Sequence, residues 1–369
     1  MFSNIENEFE LFKKDYDENK FDVYIYGAGR GSYWAIKLLN KYNIPVKFII
    51  DKNIKDKNIH FGIPIISIED MLELNKENKF KILIASPRFE VEIRNELEKY
   101  IEKNRIYSFE CELYYSSILN INEYKNYLDT NIDNLKEIYN NLEDDLSKKT
   151  LKNILLGRVS GNLKYFNEVC MPNQYFCEDI IKFSKEEVIL DLGANYGDTL
   201  EEILKRTDKR FKKIYCFELD EKCIASLENL KKDLQLNNLE IINKGAWHKR
   251  DILTFSSNPT QGASRIIDCK NGKFENDEIY TVNTIDIDSV VCEDVTFIKM
   301  DIEGAELNAL KGAKEVIKKN KPKLAICVYH KNEDIIDIYD YITKLVPEYK
   351  VYLRHHNVSG TETVLYAVI

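Results

Sequence analysis

The run Val188-Ile189-Leu190-Asp191-Leu192-Gly193-Ala194-Asn195-Tyr196-Gly197-Asp198 limits what this chain can fold into more than any other stretch. Its apolar residues around one acid read as a buried strand. The two glycines that follow permit a tight turn into a helix, with backbone open to a ligand. Twenty-five residues after Gly193 stands Glu218, closing the apolar strand Lys213–Phe217. A carboxylate at the end of the next strand accepts ribose hydroxyl protons in nucleotide-binding α/β folds. Asp191 and Glu218 are therefore expected at neighbouring strand ends. A glycine turn alone fits any tight α/β corner; the spaced acid is what points to an adenosine-type ligand.

Further strands are read at 213–218, 239–243, 279–283, 295–300, 323–329, 349–354 and 363–368, so the second half of the chain is a large α/β domain. The first hundred residues read as a smaller one. It has strands DVYIYG at 22–27, VKFIID ending at Asp51, FGIPII at 61–66, KILIAS at 81–86 and a short one at 105–109, with helices over 32–41, around 68–76 and over 88–103. From Cys111 to Leu156 the text is polar and helical, with no glycine or proline. The expected organisation is an α/β chain: a small parallel-sheet domain over 1–110, a helical connector over 111–164 and a larger domain over 165–369.

Composition excludes several classes. At 369 residues, 44% hydrophobic, the chain is too long for one average domain and too apolar for disorder. Lys plus Arg number 53 against 62 Asp plus Glu, and the balance of −9 opposes attraction to phosphate backbones, so nucleic acid is not an expected partner. No window approaches the ~18 apolar residues of a spanning helix, and the first residues lack a signal-peptide pattern; no membrane insertion and a cytoplasmic location are expected. The eight cysteines (Cys111, Cys170, Cys177, Cys216, Cys223, Cys269, Cys292, Cys327) are scattered without CxxC pairs, which fits reduced thiols that mostly fill core.

Three more segments extend the opening pattern: Phe217-Glu218-Leu219-Asp220, Gly245-Ala246-Trp247 and FIKMDIEGAELNALKGA at 297–313. Together with DLGANYGD at 191–198 they resemble the class I S-adenosylmethionine-dependent methyltransferases and, more narrowly, the FkbM family, over about residues 165–369. The resemblance implies a seven-stranded methyltransferase sheet, S-adenosylmethionine as cofactor, and O-methylation of a sugar in a polysaccharide, glycan or natural product. It also implies cofactor contacts from Asp191, Gly193, Asn195, Gly197, Asp198, Glu218, Leu219, Ala246 and Trp247. Asn195 stands where many methyltransferases carry glycine.

The residues also carry a chemical reading of their own. The strand Thr296–Met300 ends at Asp301, and Gly304 permits a sharp turn that crowds Asp301, Glu303 and Glu306 at the carboxyl edge, where ligands of open α/β sheets bind. Methyl transfer asks the protein to align the acceptor oxygen and remove its proton. Of five histidines (His60, His248, His330, His355, His356), His330 closes the apolar strand Lys323–Tyr329 at that same edge. It is the expected general base, with Asp301 or Glu306 orienting it or the acceptor. The same acids suit helix caps, and Asp301, Glu303 and Glu306 also suit a hard divalent cation. Lys299, on a buried strand, is expected to pair with an acid. Arg354 or His355 in the terminal hairpin, and Asn173–Phe176 with Tyr165 and Phe166, are candidates for acceptor contact or for plain packing.

In the first domain, Tyr24-Ile25-Tyr26-Gly27-Ala28-Gly29-Arg30-Gly31-Ser32 matches GxGxxG in part, with Ser32 at the third glycine position and Asp51 at the end of the next strand. This region resembles the small Rossmann-like domains at the front of sugar-modifying bacterial proteins. Gly27, Gly29, Arg30 and Asp51 are the expected contacts for a nucleotide-linked sugar, and assembly into a homo-oligomer is the other role for such a domain. The acceptor is expected to be a small molecule or carbohydrate, nucleotide-linked in one version. Two alternatives stand beside this reading. A nucleotide-sugar oxidoreductase or epimerase is disfavoured because the first domain ends soon after its fifth strand. A non-catalytic cofactor-binding scaffold is disfavoured by intact Asp191, Gly193, Glu218 and Asp301.

Overall fold

A computed structural model describes residues 2–52, 59–74, 79–116, 120–258, 263–266 and 278–369. The chain divides into two compact units. The first comprises Met1–Lys136, Lys148–Met171 and His355–Thr361; the second comprises Glu137–Ser147, Pro172–Arg354 and Glu362–Ile369.

Unit 1 is built on six strands: β1 (Asp22–Tyr26), β2 (Val46–Ile50), β3 (Ile59–His60), β4 (Ile63–Ile66), β5 (Phe80–Ile84) and β6 (Ile106–Tyr107). Their order is β3-β4-β2-β1-β5-β6, parallel except for the β3–β4 pair. β1 is buried along nearly its whole length, which explains why it reads as a continuous apolar run rather than an alternation. One face of the sheet packs Tyr24, Ile50 and Ile82 against Met71 and Leu97 of the flanking helices. The expected helix over 88–103 is shorter, Glu90–Leu97, preceded by a 3₁₀ turn at Pro87–Phe89. The helix expected around 68–76 runs Ile68–Leu74, and residues 75–76 lie outside the described residues. The polar stretch after Cys111 is helical as its composition implies: Glu112–Ser116, Ile121–Thr130, Ile132–Asn141 and Asp145–Ser160.

Unit 2 holds β7 (Val188–Leu192), β8 (Lys213–Phe217), β9 (Leu239–Ile242), β10 (Gly245–Ala246), β11 (Asp251–Asn258), β12 (Ala263–Ile266), β13 (Glu278–Ile285), β14 (Phe297–Met300), β15 (Lys323–Cys327), β16 (Lys350–His355) and β17 (Thr363–Val368). Seven of these form one sheet in the order β16-β17-β15-β14-β7-β8-β9. β17 runs antiparallel to β15, whereas β15, β14, β7, β8 and β9 are parallel. The chain steps outward from β7 to β9 on one side and from β14 to β15 on the other, so β7 and β14 meet at a topological switch point, and the crevice beyond their carboxyl ends is where such sheets bind ligands. A second, four-stranded sheet, β10-β13-β11-β12, was expected only at 279–283. Cys269 lies outside the described residues, and no disulfide joins the seven described cysteines.

Candidate functional site

The glycine turn leaves β7 at the switch point with Gly193 (φ +82°), Asn195 (φ +47°) and Gly197 (φ +97°) all in left-handed backbone. A side chain at Gly193 would meet the Asp301 carbonyl oxygen at 2.0 Å, so only glycine lets the turn pass this close to the end of β14. Gly197 opens the helix Asp198–Arg206, and Asp198 is exposed in its first turn. Glu218, just past β8, bends back onto the turn: its Oε2 accepts the Asn195 N–H at 2.7 Å, and its Oε1 accepts those of Leu219 and Asp220 at 2.7 and 3.0 Å. Below the turn, Lys299 Nζ lies 3.2 Å from Asp191 Oδ1 and donates to the Gly193 carbonyl at 2.6 Å. Both side chains are buried. Burial opposes the ammonium charge, but Asp191 outweighs it and keeps Lys299 protonated. Asp191 itself is pushed up to about 6 by burial, against the pull of Lys299. The lysine is also held by the carbonyls of Leu192 and Gly193.

Ala246 is buried on β10, which pairs with Thr284 and Ile285 of β13, and the Trp247 N–H donates to the Ile285 carbonyl at 2.9 Å. Gly312 is packed against the Trp247 carbonyl so closely that a side chain would stand 1.9 Å away. Leu219 approaches Gly245 on the same side.

The second half of the site grows from the end of β14 and the end of β15. Asp301 continues the ladder, its N–H donating to Leu192 at 3.1 Å. Glu303 (φ +55°) and Gly304 (φ +90°) turn the chain into the helix Glu306–Gly312. This turn delivers Glu306, fully buried, to His330: Glu306 Oε1 lies 3.0 Å from Nδ1, while Asp301 Oδ1 and Glu303 Oε2 lie 3.3 and 3.7 Å from Nε2. The Ile302 N–H donates to Glu306 Oε1 at 2.8 Å. Burial disfavours the charged ring, but Glu306, then Glu303 and Asp301, override it and hold His330 well above the ordinary imidazole range. Burial likewise opposes charge on Asp301, yet His330 and Lys299 pull its carboxyl below the usual value. Glu303, which keeps 42% of its side chain open, is pushed up to about 7 by burial and by Asp301 and Glu306, against the pull of His330.

Of the partners of this group, Gln174 and Tyr175 lie in the candidate stretch 173–176, whereas Tyr329 and Glu362 were not singled out from the sequence. The Tyr175 hydroxyl donates to Asp301 Oδ2 at 2.6 Å, and that of Tyr329 approaches Asp301 Oδ1 at 3.3 Å and Glu362 Oε1 at 3.5 Å. Gln174 Nε2 donates to the Tyr175 hydroxyl at 2.9 Å and also to Glu362. The aromatic–amide signal at 173–176 pointed to part of this, whereas Glu362 sits in a hairpin turn without any motif. Of the two roles open to Arg354 and His355, acceptor contact or packing, the structure forms the packing one. Arg354 is 1% exposed and pairs with Asp144 and Asp179 at 2.6 and 2.8 Å, and His355 is fully buried in unit 1. Tyr165 and Phe166 also belong to unit 1, with Phe166 against His355 at 5.6 Å between ring centroids.

In unit 1 the turn Gly27–Gly31 leaves β1 next to the ends of β2 and β5. Asp51 Oδ2 accepts the Ala28 N–H at 2.7 Å, and Gly31 lies so close to the Ala85 carbonyl that a side chain would stand 2.0 Å from it. A side chain at Gly29 would meet nothing within 4 Å. Arg30 is 79% exposed at its side chain, 3.8 Å from Glu112.

The sheet order of unit 2, with a glycine turn and a ribose-type acid at its switch point, defines the class I methyltransferase fold. Residues 191–353 match the Methyltransferase FkbM domain, and this chain carries that domain. Among solved structures, a methyltransferase FkbM from Methylobacillus flagellatus superposes with a TM-score of 0.77 at 24% identity, over 96% of this chain and 92% of that one. An rRNA methylase from Streptococcus thermophilus matches at 0.34 and 16% identity, over 53% of this chain and 91% of that one. Aeropyrum pernix fibrillarin, solved with S-adenosyl-L-methionine, matches at 0.31 and 13%, over 51% and 70%. No curated protein matches the chain. Among the described residues, no helix is long and apolar enough to cross a membrane.

Proposed function

We propose that this methyltransferase uses S-adenosylmethionine to methylate a hydroxyl oxygen of a sugar, in a polysaccharide, glycan or natural product. One observation carries the reading: the Glu218-braced glycine turn and the Asp301–Glu306–His330 group stand at the carboxyl ends of adjoining strands, so a methyl donor held by one faces an acceptor held by the other. The residues fit the donor. Glu218 Oε2 spends one lone pair on Asn195 and has another for a ribose hydroxyl. Asp191 Oδ2, buried without a hydrogen bond, adds negative charge beneath a cationic ligand.

When bound, S-adenosylmethionine supplies a methyl group already activated by its sulfonium. What remains for the chain is alignment and proton removal. The sequence pointed to His330 as base; the three carboxylates around it favour the charged ring, and for that reason we assign the proton to Asp301 instead. Asp301, Glu306 and His330 therefore act as one unit: Asp301 accepts the hydroxyl proton as the oxygen bonds to the methyl carbon and the sulfur–carbon bond breaks, the imidazolium balances the charge of Asp301, and Glu306 flanks the ring at 3.0 Å. Tyr175, Tyr329, Gln174 and Glu362 line this group with the alternating donors and acceptors that sugar hydroxyls require. For unit 1 we assign a nucleotide-linked sugar to the Gly27, Gly29, Arg30 and Asp51 turn, supported by the space at Gly29 and the hydrogen bond that sets Asp51 against the turn.

Calorimetric titration of S-adenosylmethionine and its demethylated product into the full chain tests the reading. Wild type is expected to bind both, and Glu218→Ala to bind at least about tenfold more weakly, the loss of one to two charge-assisted hydrogen bonds. No binding by folded wild type would overturn it.

A further inference from the structure

We propose that Asp301, Glu306 and His330 form a binding site for a hard divalent cation of the Mg²⁺ or Mn²⁺ type. Each residue offers one ligand atom, and the three atoms all lie within 4.8 Å of one another. Ligands about 2.1 Å from an octahedral ion stand roughly 3.0 Å apart when adjacent and about 4.2 Å when opposite, so the spacing admits an ion with little rearrangement.

A second observation, separate from the crowding of acids, points to a ligand. Glu306 is fully buried, and its Oε2 has no hydrogen-bond partner. Neither nitrogen of the His330 ring, whose side chain is 9% exposed, meets a neighbouring carboxylate along a hydrogen-bond direction, although Nδ1 and Nε2 lie 3.0 and 3.3 Å from Glu306 and Asp301. Buried polar atoms are nearly always satisfied, and those that are not call for an explanation such as an ion. Here the unsatisfied atoms belong to the residues that converge.

Charge argues the same way. Asp301, Glu303 and Glu306 all stand within 3.7 Å of one imidazole ring, while the nearest buried ammonium, Lys299, is paired with Asp191 and the Gly193 carbonyl. A divalent cation offsets this gathering of carboxylates. The donor set is oxygen with one imidazole nitrogen, which selects hard ions, Mn²⁺ among them, over thiophilic ones. The ligands are also held from outside: Tyr175 donates to Asp301 Oδ2 and the Ile302 N–H to Glu306 Oε1, the kind of outer support that fixes ligand orientation. Three of the six octahedral positions remain for water or a substrate oxygen. The use of the ion, polarising the acceptor hydroxyl in place of the imidazolium, rests on the methyl-transfer reading; its binding does not.

The test is titration of Mn²⁺ into the full chain, without methyl donor or acceptor, followed by the electron paramagnetic resonance of free aqua-Mn²⁺. One ion per chain, displaced by Mg²⁺, is expected. Asp301→Asn and Glu306→Gln should each weaken binding at least tenfold, while Asp208→Asn, an exposed acid elsewhere, leaves it unchanged. Spin-echo modulation from one imidazole nitrogen on wild type, lost in His330→Ala, provides a readout that does not depend on the acidic variants folding. Absence of Mn²⁺ binding by folded wild type, binding undiminished in every variant, or no nitrogen modulation would each overturn the proposal. Parallel titration with S-adenosylmethionine separates a failed metal site from a failed methyl-transfer site.

Discussion

His355 has no aqueous surface, and burial, with His356 adding to it, pushes its ring down to about 3 from the ordinary 6.5. The unfolded chain takes up this proton near 6.5 and the folded chain only near 3, so unfolding binds a proton across that window. Stability conferred by the neutral ring is complete above pH 6.5 and lost as the pH falls, with a limiting slope of about 1.4 kcal/mol per pH unit. Thermal unfolding from pH 7 to pH 4 should show this fall, and His355→Phe should flatten it. A slope unchanged by the substitution would assign it to other groups. At this scale the sequence is a good guide to which residues share the sheet edge and a poor guide to their protonation. His330 is legible as an edge histidine because it ends an apolar strand. The crowding of Asp301, Glu303 and Glu306 at the same edge is legible from Gly304, but that all three reach within 3.7 Å of one ring follows from the left-handed backbone at Glu303 as well. Glu362 escapes notice because its neighbours come from Gln174 and Tyr329, distant in the chain.

Strands are the elements the sequence reveals best, because β7, β8, β14 and β15 are buried on both faces and are written as unbroken apolar runs. β11 is hidden by the opposite cause. It begins Asp-Ile-Leu-Thr with alternating half-buried and exposed positions, so it looks like a polar loop until β13 pairs with it. The expectation that Lys299 pairs with an acid is met by Asp191 on the adjoining strand. Lys299→Met removes the cation paired with the fully buried Asp191, and frees the Gly193 carbonyl. A loss of about 3–5 kcal/mol is expected, measured by urea unfolding of the full chain. The double variant Asp191→Leu/Lys299→Met should lose less than Lys299→Met alone; if it loses more, the pair stabilises beyond mutual neutralisation.

The whole chain passes repeatedly between its two units, with 137–147 leaving the first and 355–361 returning to it near the end. In that returning segment the Gly360 N–H donates at 2.6 Å to Glu110, which also accepts the Leu113 N–H at 3.1 Å. A fragment of residues 165–369 would therefore keep the seven-stranded sheet's strands but strip Glu110 from Gly360. It should unfold at least several degrees below the full chain and expose 355–361 to protease, as followed by limited proteolysis with mass mapping; equal resistance would mean that the sheet alone carries the stability. A different consequence follows from Gly193 resting against the carbonyl of Asp301. Two loops with separate chemical tasks share one point of contact with no spare volume, so neither can shift without the other. Thermodynamic reciprocity then requires that whatever the first loop gains in order on filling, the second receives as affinity, by the same factor in either direction. Filling either loop first therefore leaves the other equally better ordered for its own ligand.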